Sequence, residues 1–249
     1  EFFEQKAKNP DHNYDRSRTA LNFQVGPGGR ITEIDESRRI GDKVDEIIKK
    51  HLRPNARVTA ISNRAVMVVF GGNRERMREM AFGSQELNEY GESNGHLIRQ
   101  PEIEQWAKDV YGFVCREFGE ENIASFIVHL DETGPHAHCV FVPLTADGRL
   151  SSKVVLGGKN KIEARQHMRD LHTRLAEVNR KYGLDRGDNI QVTGARHRST
   201  AEYNRDLHRE NARLETLIDD NREQLRQLED EIRKSERRVK GLTTMIANL

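Results

Sequence analysis

Long apolar runs are missing from this sequence of 249 residues. The longest, Ala65–Phe70, is strand-sized and far short of the ~18 apolar residues that a membrane-spanning helix needs. Cysteine is almost absent too. Cys115 and Cys139 stand alone, with no CxxC pair and no secretory segment, which excludes disulfide-stapled and zinc-ribbon folds and points to a reducing cytoplasm. Hydrophobic residues make up 35% and aromatics 6%, against 33% charged, so a core exists for one domain of about 200 residues and the remainder reads as an elongated charged appendage. The sequence opens on Glu1 rather than Met, and native residues are expected upstream.

Net charge is nearly absent as well, at +1, but its distribution is uneven. Residues 71–132 carry 6 Lys and Arg against 13 Asp and Glu, whereas residues 149–198 carry 12 against 5. That second segment can follow a phosphate backbone or simply be a solvated helix face.

Periodicity supplies the elements. Ala20–Val25 (ALNFQV) reads as a strand ended by the GPGG turn, and Thr32 as the cap of a helix carrying Ile40, Val44, Ile47 and Ile48 up to Pro54. AVMVVF reads as a buried strand, residues 73–99 as irregular or short helices, and Pro101 to about Gly119 as a helix with Ile103, Trp106, Val110, Phe113 and Val114 on one face. IASFIVHL and HAHCVFVPL form an antiparallel hairpin around DETGP, and a helix runs from about Lys161 to Tyr182. The expected fold class is α+β, one antiparallel sheet with packed helices, followed by a long C-terminal coiled-coil helix. The division is expected at 1–198 and 199–249.

The coil rests on apolar or small residues alternating four and three apart: Leu207, Asn211, Leu214, Ile218, Asn221, Leu225, Leu228, Ile232, Ser235, Val239, Leu242, Ile246 and Leu249. β-branched residues at a and leucine at d favour a parallel pair, hence a homodimer. Flanking charges such as Glu210 against Glu215 oppose that orientation, which stays open.

Chemistry concentrates in HLDETGPHAH, His129–His138. On a strand, His136 and His138 point to one face, and a hairpin brings His129 alongside them. Three neutral imidazoles beside Asp131 and Glu132 suit a divalent cation. Imidazole favours zinc, nickel, copper or cobalt and tolerates manganese. An open coordination position would leave room for a phosphate oxygen, although a structural metal is the competing reading. Cys139, on the opposite face, belongs to the core.

HLDETGPHAH followed by a strand, PL, a DG turn and LSSK resembles the central motif of the Mob/Pre family of plasmid mobilisation relaxases, a branch of the HUH single-strand DNA endonucleases. SRTALNF, Ser17–Phe23, is similar to that family's amino-terminal R-[ST]-x-x-N-[YF] motif, and the order of the remaining elements agrees. The resemblance implies an HUH relaxase-like domain that nicks and rejoins one strand at an origin of transfer by metal-dependent transesterification, keeping the 5′ phosphate covalently attached. His129, His136 and His138 would hold Mn²⁺ or Mg²⁺, with Zn²⁺, Co²⁺ and Ni²⁺ as further possibilities. Glu132 would be a fourth ligand, an orienting group or the base. The nucleophile, a Tyr or His in such enzymes, is expected upstream of Glu1, with Tyr14 and His12 the nearby substitutes. Arg16, Arg18 and Lys153 would contact phosphates and Asn22 a base edge or the backbone, while Arg165, Arg169, Arg174, Arg196 and Arg198 would line the DNA path. Single-stranded or hairpin origin DNA, a second copy of the chain, and coupling or accessory mobilisation proteins are the implied partners. Two readings compete with it: a non-catalytic metal-containing DNA-binding module, and a related HUH replication initiator or transposase. The latter's Y-x-x-x-Y helix is not seen, since the helix after Lys161 has only Tyr182.

Overall fold

The computed structural model describes residues 14–59, 61–88, 92–158, 160–188, 190–194 and 199–248. The candidates His12, Arg196 and Arg198 lie outside the described residues, as does Leu249 of the heptad run. The chain divides into two compact units, Glu1–Gly187 and Asp188–Leu249.

The first unit is built on a five-stranded antiparallel sheet in the order β2-β1-β4-β5-β3, from β1 (Phe23–Gly26), β2 (Arg30–Thr32), β3 (Val66–Phe70), β4 (Ile123–His129) and β5 (His136–Phe141). A 3-10 turn, Arg16–Leu21, occupies the start of the expected first strand. Gly28 at φ 70° turns the chain straight back into β2, a conformation that costs glycine little. Thr32 therefore pairs with Gln24 and accepts its side-chain amide at 3.0 Å instead of capping a helix. That helix, α1 (Ile40–His51), starts at Ile40 after a loop.

One sheet face carries the main core. Phe23, Val25, Phe70, Phe126, Val128, Ala137, Cys139 and Phe141 meet α2 (Arg74–Phe82) and α3 (Pro101–Phe118), whose Met77, Met80, Ile103, Trp106, Val110 and Val114 are fully buried. Burial pushes the Cys139 thiol up to about 12, as befits an inert core cysteine. A short helix, α4 (Ser152–Leu156), precedes α5 (Lys161–Arg180), which lays Leu171, Leu175 and Val178 on this core. Asn179 on α5 accepts the Trp106 indole N–H at 3.0 Å, so the largest buried ring keeps its hydrogen bond.

The opposite face is half-covered. A bulge between Ile123 and Ser125 turns Ala124 toward α1, where Val44 and Ile48 pack with Val142 and Leu144. β3 is an edge strand, not the buried strand its composition suggests. It pairs only with β5, and Met67 and Val69 are 59% and 55% exposed.

In the second unit, α6 (Ile190–Thr193) precedes α7 (Thr200–Ala247). Ser199 and Glu202 close a capping box at its start. Heptad residues such as Leu225, Ile232 and Leu242 are more than half exposed on this helix. No helix among the described residues is long and apolar enough to cross a membrane.

Asp109 on α3 receives Lys181 and the Tyr182 hydroxyl from the end of α5. Burial alone would raise this carboxyl, but those partners and Gln105 hold it below its ordinary value of 3.8. With the folded value depressed, the stabilisation is present above the unfolded value and is lost as pH falls through the folded one. Asp109→Asn is expected to cost about 1 kcal/mol in urea unfolding at pH 7 and progressively less toward pH 3. An equal cost at both pH values would contradict this account of the α3–α5 contact.

Candidate metal centre

The β4–β5 register decides what faces what. His129 pairs directly with His136 and Ile127 with His138, so three imidazoles share the half-covered face while Val128 and Ala137 point into the core. Their ring centroids lie 5.5 Å (His129–His136), 5.1 Å (His129–His138) and 4.8 Å (His136–His138) apart. His129 is 1% exposed, and the other two are partly buried.

The ring nitrogens are directed as ligands. His136 Nδ1 lies 2.8 Å from the Gly134 carbonyl oxygen, which can only accept, so Nδ1–H donates there and, in the neutral ring, Nε2 is the ligand atom. That Nε2 lies 2.8 Å from His138 Nε2. Two nitrogens held about 2.1 Å from one ion at 90–110° stand roughly 3.0–3.4 Å apart, so this hydrogen-bonded pair would open by a few tenths of an ångström to share one. Glu132 Oε2 is 3.8 Å from His136 Nε2, and Asp131 Oδ1 is 3.8 Å from His129 Nδ1. Ligand atoms of His129, Asp131 and Glu132 also lie within 4.8 Å of one another. Nitrogen and carboxylate donors at this spacing fit a divalent cation.

The carboxylates sit in the connection between β4 and β5, and the segment before β1 is stitched to it. Asp15 N–H donates to the Asp131 carbonyl at 2.6 Å, Tyr14 forms an isolated bridge with Glu132, and Asn22 Oδ1 accepts the Leu130 N–H at 2.7 Å. Thr19 Oγ1 donates to Asp131 Oδ2 at 3.1 Å. Arg18 is 6% exposed and turned inward, with Nη1 2.8 Å from the Leu130 carbonyl and Nε 3.0 Å from Asp15 Oδ2. A guanidinium so placed is not available to a phosphate, which corrects the expectation for Arg18. Burial would raise the Asp15 carboxyl, yet hydrogen bonds from Ser17, Asn94 and Arg18 outweigh it and hold the group below the ordinary carboxylate range.

Other expected residues fall in different places. Arg16 is exposed, with its guanidinium 6.0 Å from the Tyr14 ring centroid. Tyr14, Arg16, Thr19, Asn22 and Asp131 line a groove of about 1010 Å³ together with Gln24, Ser125 and Ile127 and the basic residues Arg38, Arg39 and Lys43. Lys153 is exposed on α4, not on a strand. Arg174 pairs with Glu117 through two bonds of 2.6 and 2.7 Å that join α5 to α3, while its side chain stays 43% exposed. Asp131 is fully buried at the site. Asn94, which donates to Asp15 at 2.8 Å, carries no sequence signal at all.

With this geometry in place, the relatives are informative. The family model described as plasmid recombination enzyme (Mob_Pre) matches residues 96–205. The type 1 plasmid recombination enzyme of Staphylococcus aureus is 39% identical over 133 residues, 53% of this chain and 32% of its own length. A type 3 enzyme from the same organism is 40% identical over 99 residues, 40% of this chain and 22% of its own. The chain thus spans a third or less of the length of these relatives. Among solved structures, the Mn-bound MobM relaxase domain with plasmid pMV158 oriT DNA superposes with a TM-score of 0.60 at 19% identity, covering 82% of this chain and 90% of that one. At that identity the likeness shows the shared fold.

His136→Ala and His138→Ala are each expected to weaken Mn²⁺ binding at least tenfold in calorimetric titration, because a chelate loses one converging nitrogen. Undiminished affinity in both variants would remove these imidazoles from the site.

Proposed function

We propose that this chain is a plasmid mobilisation relaxase of the Mob/Pre family, whose model matches residues 96–205. It would nick and rejoin one strand at an origin of transfer, in a reducing cytoplasm. The observation that carries the reading is the convergence of His136 Nε2 and His138 Nε2, 2.8 Å apart, with His129 on the same sheet face and the groove of Tyr14 and Arg16 nearby.

His129, His136 and His138 would hold the divalent cation, Mn²⁺ or Mg²⁺, with Asp131 and Glu132 beside it. When bound, such a cation polarises the scissile phosphate and offsets charge developing on its oxygens. The chain's residues do the rest. Arg16 fixes the strand through a phosphate oxygen, and Lys153 extends the phosphate path. Glu132 takes the proton of the attacking hydroxyl or imidazole. The bond from phosphorus to the nucleophile forms as the bond to the 3′ oxygen breaks. That oxygen takes up the proton held by Glu132 and leaves as a 3′ hydroxyl, and the 5′ phosphate stays on the protein. Rejoining is the same displacement reversed. We assign the nucleophile to Tyr14, which lines the groove and whose backbone pairs with that of Glu132, or to a residue preceding Glu1.

A second copy of the chain is the partner we propose for α7. Residues 199–249 carry 11 acids against 10 bases, so charge does not oppose self-association. β-branched residues at a with leucine at d suit two strands. Ile232 is 57% exposed on the single helix, where a charge there would cost nothing.

Two tests follow from this reading. Incubating the protein with Mn²⁺ and a labelled single-stranded origin-region library should give a covalent protein–5′-phosphate adduct that Glu132→Gln and His138→Ala suppress; retention of the adduct in Tyr14→Phe would move the nucleophile upstream. Metal and DNA binding without any adduct from the protein that includes its native amino terminus would favour the non-catalytic module. In sedimentation at tens of micromolar, on the order of the concentrations where moderate coils associate, the chain should be a dimer and Ile232→Asp a monomer. An unchanged, monomeric pair of profiles would contradict the homodimer.

A further inference from the structure

Arg18 is a long cationic side chain that the structure hides: 7% of its side chain is exposed. Its guanidinium faces the carbonyl oxygens of three consecutive residues, Leu130 at 2.8 Å, Asp131 at 3.5 Å and Glu132 at 3.3 Å, while Nε pairs with Asp15 at 3.0 Å. Those three residues follow His129, the last residue of β4, and they lie outside the strand ladder. Their carbonyls therefore need partners from elsewhere in the fold. Asn22 holds the same stretch from its other side by accepting the Leu130 N–H at 2.7 Å, and Thr19 holds the Asp131 carboxylate at 3.1 Å. The path of the chain between two prospective ligands is thus set by side chains of one six-residue turn and the residue after it, together with the Asp15 N–H on the Asp131 carbonyl and the Tyr14–Glu132 bridge.

We propose that Arg18 is a positioning residue of the metal centre, fixing the backbone of Leu130–Glu132 so that His129, Asp131 and Glu132 meet one cation. This inference rests on the metal reading given above. It assigns to the arginine of the SRTALN segment a role opposite to DNA contact, because its donors point away from the groove's solvent and into backbone carbonyls. Lysine cannot replace it. A single ammonium has no planar fork to span adjacent carbonyls while also holding Asp15.

The test compares wild type and Arg18→Lys in the full chain, reading metal binding rather than turnover. Calorimetry should show Mn²⁺ affinity falling about 10- to 100-fold, the range found when groups that orient metal ligands are lost. The visible absorption of the Co²⁺-loaded variant should shift as the ligand geometry relaxes. The salt dependence of single-strand binding should stay as in wild type. Wild-type affinity and an unchanged Co²⁺ spectrum in a merely less stable Arg18→Lys would overturn the inference. So would a salt slope reduced by about 0.7, the signature of one lost phosphate contact on a single strand. Should Arg18→Lys fail to fold, Thr19→Val, which removes only the bond to Asp131, should still lose about tenfold in affinity, and no loss would count against the proposal. Absence of Mn²⁺ binding in wild type would instead remove the metal reading itself, and this inference with it.

Discussion

The pairing of His129 with His136 across the β4–β5 hairpin is the constraint on which the rest of this unit depends. Side chains alternate along a strand, so a slip of one residue would turn the histidines into the core and bring Val128 and Ala137 out. The register is held from the core side, where Phe126, Val128, Cys139 and Phe141 fill the space beneath α3. Phe118 stacks on Phe141 with ring centroids 4.2 Å apart, and Tyr111 meets Phe126 edge-on at 5.5 Å. Apolar packing on one face thereby fixes polar chemistry on the other. The bulge at Ala124 lets α1 cover one end of the chemical face without disturbing the register at its histidine end.

A second layer of control is polar. The connection between β4 and β5 has no ladder to define it, and the segment around Arg16–Leu21 takes over that task through Asp15, Arg18, Thr19 and Asn22. Burying an arginine is costly unless its charge and donors are matched. Here Asp15 supplies the charge, backbone carbonyls supply the acceptors, and Asn94 and Ser17 secure Asp15 in turn. Such a network ties a sequence-distant turn to the site and leaves Arg16, two residues before Arg18, exposed at the groove.

What the sequence made legible were features governed by local rules. The hairpin, the α3 face with Trp106 and Val110, the long final helix and the histidine cluster all follow from alternation, helical spacing and turn chemistry. Features that depend on distant partners were not legible. Thr32 looks like a helix cap but is claimed by Gln24 across a tight turn. Val66–Phe70 has the composition of a buried strand, and only the strand order reveals it as an edge. Arg18 reads as a phosphate contact and Arg174 as part of a DNA path because charge in a sequence carries no direction. Each is spent on an internal partner, the Leu130–Glu132 carbonyls in one case and Glu117 in the other. Asp131 is central only because Thr19 and the Asp15 backbone reach it from over a hundred positions away.

The central claim is that three imidazoles on one sheet face, held by hairpin register, form a cation site. Anomalous diffraction at the manganese edge from Mn²⁺-soaked crystals of the protein tests it most directly. The account predicts one strong peak within about 2.0–2.3 Å of a ring nitrogen from each of His129, His136 and His138. A peak held by Asp131 and Glu132 without His136 and His138, or no peak on this face at all, would contradict it.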